Sequence, residues 1–180
     1  MMLTIENSAL VIIDVQGKLA QLMHNREALF RNLQILVKGA QALAVPILWL
    51  EQYPAGLGPT IPEVASLLSA QKPIAKMSFS GCGCPEFRQA LQTAGRPRMM
   101  LAGIETHVCV YQTALDLLTA GYRVEVVADA VSSRAVENRQ VGLDRMRAAG
   151  AGITCVETVL FELLRTAEAP KFREVARLLK

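Results

Sequence analysis

Charge is scarce in this chain and nearly balanced. Only 19% of its 180 residues are charged, and 19 Lys and Arg stand against 16 Asp and Glu, a net charge of +3. No basic run occurs, so the electrostatic footprint of a nucleic-acid-binding surface is missing. Long apolar runs are missing as well. The apolar stretch at 99–104 is far too short to span a membrane, so no membrane partner is expected. The first residues have no basic segment leading into an apolar one, and no secretory signal is expected. Without such a signal, the four cysteines are expected as reduced thiols in the cytoplasm rather than as a disulfide frame.

Apolar residues, by contrast, make up 52% of the chain. That is more than a typical monomer surface calls for, and it points to a homo-oligomer with a buried subunit interface. The length suits one domain over 1–180 with a sizeable core, and no repeat, linker or low-complexity tract divides it.

Short apolar runs alternate with longer amphipathic ones, the rhythm of a βαβ protein. Strands are predicted at 9–13, 46–50, 73–76, 98–104, 124–128 and 153–156. Helices are predicted at 26–44, at a short segment ending near 70, and at 85–93, 106–120 and 134–149, with helical segments at 159–164 and 171–179. The stretch 54–62 reads as a Gly/Pro-rich loop. Strands joined by single helices pair in parallel through right-handed crossovers. The expected fold is therefore α/β, a three-layer sandwich of Rossmann-like type, with a six-stranded parallel sheet and helices on both faces. In such sheets the reactive crevice lies beyond the carboxyl ends of the strands.

Three chemically capable residues share that edge. Asp14 ends the first predicted strand, Lys76 ends the third, and Cys109 lies in the first turn of the helix after the fourth. A thiol near a helix N-terminus or a lysine is shifted toward the thiolate, its attacking form. A carboxylate can accept the thiol proton and return it to a leaving group. A lysine beside both would stabilise them, and backbone N–H groups at the helix start could hold an oxyanion. Taken singly, each residue has an ordinary reading: an acid at a strand end caps the next turn, a lysine is solvated, and a cysteine is buried in the core.

The segment Leu101-Ala-Gly-Ile-Glu-Thr-His-Val-Cys-Val110 resembles the nucleophile motif G-x-x-T-x-x-C-V of isochorismatase-like cysteine hydrolases. Ala9-Leu-Val-Ile-Ile-Asp-Val-Gln16 resembles the strand carrying their catalytic Asp, and Lys72-Pro-Ile-Ala-Lys-Met-Ser-Phe79 the segment carrying their lysine. Val127-Ala-Asp-Ala-Val-Ser-Ser-Arg134 is similar to a further shared block, and together the likeness runs from about Leu10 to Leu164. It implies an Asp14–Lys76–Cys109 triad, hydrolysis of a small amide or related C–N bond through a Cys109 thioester, and no cofactor. It also implies a cis peptide between Ile104 and Glu105 that turns the Glu105 N–H toward an oxyanion hole shared with the N–H of Cys109. Glu105 departs from the small residues common at that position, so its side chain must point away or help shape the pocket.

Metal-binding members similar to nicotinamidases carry an Asp and two His after the second strand. Here that stretch reads Trp49-Leu-Glu-Gln-Tyr-Pro-Ala-Gly-Leu-Gly58, and the chain holds only two histidines, so no metal is expected. The Glu51-Gln-Tyr-Pro run instead resembles uncharacterised isochorismatase-domain-containing proteins, and Glu51, Tyr53 and Phe79 are expected to line the substrate pocket. Cys82 and Cys84 are read as structural, and Cys155 as core. A Cys–His dyad of Cys109 with His107 is disfavoured by their spacing on a helix. Asp129, Ser132 and Ser133 are expected to cap the next helix. A quiet isochorismatase-like fold acting as an oligomeric scaffold or binding protein is the alternative to an enzyme. True isochorismate vinyl-ether hydrolysis is a weaker reading, since that chemistry does not need the cysteine.

Overall fold

The computed structural model describes residues 2–180. Six strands form one parallel sheet: β1 (Ser8–Ile13), β2 (Ile47–Gln52), β3 (Ile74–Lys76), β4 (Arg98–Ile104), β5 (Arg123–Ser132) and β6 (Gly152–Thr154), in the order β3-β2-β1-β4-β5-β6. Every residue of β1 and β4 is buried, as continuous apolar runs flanked by helices on both sides must be. Alternate side chains feed two cores. Leu10, Ile12, Met100 and Ala102 pack on one face, while Ala9, Val11, Ile13, Met99 and Leu101 pack on the other.

The helices are α1 (Gly17–Gln21), α2 (Arg26–Ala42), α3 (Pro54–Leu57), α4 (Pro62–Ala65), α5 (Pro85–Ala94), α6 (Tyr111–Thr119), α7 (Val136–Ala148), α8 (Val156–Leu164) and α9 (Phe172–Leu178). The first core takes its apolar residues from α2 and α8, and the second from α5, α6 and α7. No helix among the described residues is long and apolar enough to cross a membrane.

The chain starts at β1, runs outward through β2 and β3, then returns to β4 on the other side of β1. The strand order therefore reverses between β1 and β4, the point at which sheets of this kind place their crevice. At this point the backbones come very close. A Cβ on Gly103 would lie 2.1 Å from the Ile13 carbonyl oxygen, its register partner in β1, and Gly103 holds φ 141°.

Several elements differ from the sequence reading. The stretch 54–62 contains α3, and 17–21 forms α1, both short enough to be set by tertiary packing rather than by propensity. The helix expected at 106–120 opens with one π turn (Thr106–Val110) before α6 begins. β5 extends to Ser132 because it bulges: Leu101 faces Val126, but Gly103 faces Val131. Asp129 and Ser132 consequently lie in this strand and do not cap α7. Asp129 Oδ1 accepts from the Val156 N–H at the start of α8, and the Ser132 hydroxyl donates to the His24 carbonyl. Cys155 is half-buried just before α8, with its sulfur 3.2 Å from the Thr158 hydroxyl, because β6 ends at Thr154.

A candidate active site at the carboxyl edge of the sheet

Register alone brings the candidate residues together. Ile13 pairs with Leu50 and with Gly103, and Gln52 pairs with Lys76. Asp14, Gln52, Lys76 and Glu105 thus all leave the sheet at one edge. Asp14 and Glu105 both do so in the left-handed region, at φ 58° and φ 54°. Non-glycine residues held there cost about 1–3 kcal/mol each, and such positions gather at functional sites.

Lys76 and Asp14 form a buried ion pair of 2.7 Å, with side-chain exposures of 0% and 4%. The ammonium has four acceptors for its three hydrogens: Asp14 Oδ2 at 2.7 Å, Gln52 Oε1 at 2.7 Å, and the Phe79 and Ser78 carbonyls at 3.0 and 3.2 Å. Asp14 Oδ1 is buried without a hydrogen-bond partner of regular geometry. The Cys109 thiol lies close enough for the two groups to shift each other's proton affinity. It sits in the π turn, an irregularity that recurs at functional sites.

Burial pushes the Asp14 carboxyl up, although the Lys76 ammonium and hydrogen bonds from Lys76 and Cys109 pull it down. Burial and the Asp14 charge also push the Cys109 thiol up, to about 12, against the pull of Lys76. The sequence reading expected the helix start and the lysine to lower this thiol. The opposite holds because Cys109 is only 7% exposed and faces a carboxylate, while the lysine is already committed to that carboxylate. The free site therefore holds a thiol and its base rather than a thiolate.

The expected cis bond before Glu105 is absent. All peptide bonds among the described residues are trans, and the left-handed φ of Glu105 makes the turn from β4 into the π turn. The Glu105 side chain is buried, with Arg134 Nε 3.1 Å from one oxygen and Arg134 Nη2 3.5 Å from the other. His107 Nε2 lies 3.7 Å from the same carboxylate, and its Nδ1 is 3.1 Å from the Ser133 hydroxyl, so this ring serves Glu105 and not the thiol. The π turn is braced from behind, because Gly142 of α7 presses on the Thr106 and His107 backbone. A Cβ there would stand 2.8–2.9 Å from three backbone atoms.

Of the expected pocket residues, Glu51 is tied to the loop that follows β2. It is buried and accepts from both the Thr60 N–H at 2.7 Å and the Thr60 hydroxyl at 2.8 Å, with Trp49 Nε1 donating to the same hydroxyl. Tyr53 and Phe79 are exposed, with the Tyr53 ring over Gly56 and the Phe79 carbonyl on Lys76. Cys82 is half-buried with a thiol pushed up by burial to about 11, and Cys84 donates to Glu86 Oε2 at 3.0 Å.

The sequence reading overlooked Gln52, which links Lys76 to the Met77 carbonyl. Gln16 in turn fixes Gln52 by accepting its backbone N–H at 2.6 Å and donating to its carbonyl at 3.0 Å. The signal was present in the alternation of β2, but the predicted strand stopped at residue 50. Among the described residues, no group of three or more His, Cys, Asp or Glu side chains is arranged to hold a metal ion.

A doubly wound parallel sheet with a buried acid, lysine and cysteine at its switch point defines an α/β protein of hydrolase type. A family-wide sequence profile described as "Isochorismatase domain" matches residues 8–158, and the chain belongs to that family. It is 38% identical to isochorismatase domain-containing protein 2 of Bos taurus over 175 residues, which are 97% of this chain and 83% of that protein. Among solved structures it resembles one titled MAR1 ribonuclease from Caenorhabditis elegans, with TM-score 0.93, 37% identity, and coverage of 99% of this chain and 92% of that one. It also resembles the YcaC gene product of Escherichia coli, titled an octameric hydrolase of unknown specificity. There the TM-score is 0.94 and the identity 26%, over 99% of this chain and 89% of that one.

Proposed function

We propose that this chain is a cysteine hydrolase that cleaves a small amide or related C–N bond through a thioester on Cys109. The observation carrying this reading is the buried Lys76–Asp14 pair set against the Cys109 thiol. As the sulfur attacks the carbonyl carbon, Asp14 takes its proton. The carbonyl electrons move to oxygen, where the backbone N–H groups of Glu105 and Cys109 receive them. Asp14 then gives the proton to the departing amine, and water attacks the thioester with Asp14 again as base. A carboxyl pushed up by burial suits this cycle, since it accepts and releases a proton closer to neutral pH. Lys76 keeps Asp14 charged between turnovers without giving up its own hydrogen bonds.

The ribonuclease activity in the name of the C. elegans relative finds little support here, because a phosphodiester needs free cations and the Lys76 hydrogens are already taken. The octameric YcaC and the exposed Leu22, Met77 and Phe161 support a homo-oligomer. Four free cysteines support a reducing, cytoplasmic setting. The test is a panel of small amides with mass-spectrometric detection of an acyl adduct, with and without exhaustive chelation. An adduct on Cys109 that is lost in Cys109→Ser, with turnover surviving chelation, is the expected result. Turnover undiminished in Cys109→Ala, or an adduct on another cysteine, overturns the reading.

A further inference from the structure

The charges acting on the Asp14–Cys109 pair from outside it are the Lys76 ammonium and the carboxylates of Glu51 and Glu105. Lys76 is fully buried and has more acceptors than hydrogens, so none is left for a substrate anion. The cation paired with Glu105, Arg134, is committed to both of its oxygens and is 60% exposed, so water screens most of its charge. Glu51 makes no ion pair among the described residues and is held by the N–H and hydroxyl of Thr60. The remaining polar groups facing Lys76 are carbonyl oxygens, and Asp14 Oδ1 is a buried acceptor with no hydrogen-bond partner of regular geometry. The segment that wraps Lys76 carries the exposed apolar side chains of Met77 and Phe79, with Tyr53 beside it.

Surroundings rich in acceptors and poor in free cations select by charge. We infer that the substrate is a small amide whose remaining portion carries no negative charge, and that these surroundings repel carboxylate- and phosphate-bearing compounds from Cys109. This rests on the thioester reading and adds a substrate class to it. It also separates the chain from any member that must hold an anionic substrate such as isochorismate.

The test uses three methanethiosulfonate reagents on the purified intact protein: the methyl (neutral), ethyltrimethylammonium (cationic) and ethylsulfonate (anionic) forms. The charged two are of similar bulk. All three react through the same thiolate, so the thiol pKa cancels in their ratio. Peptide mass spectrometry reads the rate at Cys109, with 2-mercaptoethanol as the reference thiol. The cationic-to-anionic rate ratio at Cys109 should exceed that of the reference by about tenfold or more, as expected for an uncompensated charge within several ångströms at a partly desolvated site. Glu51→Gln should shrink this excess. A wild-type ratio equal to the reference, or tilted toward the anionic reagent, overturns the inference and leaves the thioester reading standing. Labelling of Cys82 or Cys155 while Cys109 stays silent to all three reagents overturns both.

Discussion

Replacing Asp14 with Asn should move two properties of Cys109 in opposite directions. The carboxylate raises the thiol through its charge and its hydrogen bond, second only to burial itself. With the thiol at about 12, only about one molecule in ten thousand carries a thiolate at pH 8. The neutral amide removes that charge and leaves the Lys76 ammonium, opposed by the Glu105 carboxylate. A shift of about 1–3 units downward follows for a group losing a like charge at contact distance. Iodoacetamide should then alkylate Cys109 about 10- to 1000-fold faster at pH 8, with the midpoint of the rate–pH profile moved toward neutrality. Turnover of a confirmed substrate should nevertheless fall by about two to four powers of ten, because the proton acceptor and donor has gone. The assay is the alkylation rate of wild type and Asp14→Asn between pH 6 and 11, read at the Cys109 peptide, beside kcat. A midpoint that stays or rises in Asp14→Asn, or a wild-type midpoint near that of an ordinary thiol, refutes the electrostatic account. A variant that turns over substrate at the wild-type rate refutes the role of base.

Lys76→Met should destabilise the fold by about 3–5 kcal/mol in urea titrations, because it strands a buried carboxylate. The double variant with Asp14→Asn should recover much of that loss, and additive losses would show that the pair is uncoupled. Gly142→Ala should cost about 1–3 kcal/mol, since its Cβ meets backbone that only a shift of α7 or the π turn can clear. The same shift should lower kcat more than it raises KM, and a fully stable, fully active variant would contradict the bracing described for the π turn.

The sheet and the strand-end residues were legible because both rest on short-range pattern. A run such as 9–13 without a polar residue reads as a strand covered on both faces, and Asp14 follows it by chain continuity alone. The logic that placed Lys76 and Cys109 on the same edge needed only parallel pairing. What escaped depended on contacts between distant segments. The hydrogen bonds from Thr60 to Glu51 were not legible, because Thr60 lies across a loop whose fold no local signal reveals. The thiol shift was misjudged because a helix start and a lysine can be read from the chain, whereas depth of burial and prior commitment of that lysine cannot. The turn at Glu105 was expected from resemblance to contain a cis bond, but its bonds are trans and its φ is left-handed. Cys155 was assigned to the core because β6 was drawn two residues too long.

Lys76 is the last residue of β3, which is three residues long and forms the outer edge of the sheet, whereas Asp14 follows a strand with neighbours on both sides. Cooperative opening in native proteins begins in elements with the fewest buried contacts and leaves the central strands closed. The cation is thus attached to a segment that can detach in a sub-global fluctuation, while the acid stays with the central strand β1 and the thiol with the turn that follows β4. When the edge opens, water reaches the acid as its counter-ion leaves, so the arrangement that sets Asp14 against the thiol is lost before any part of the central sheet unfolds.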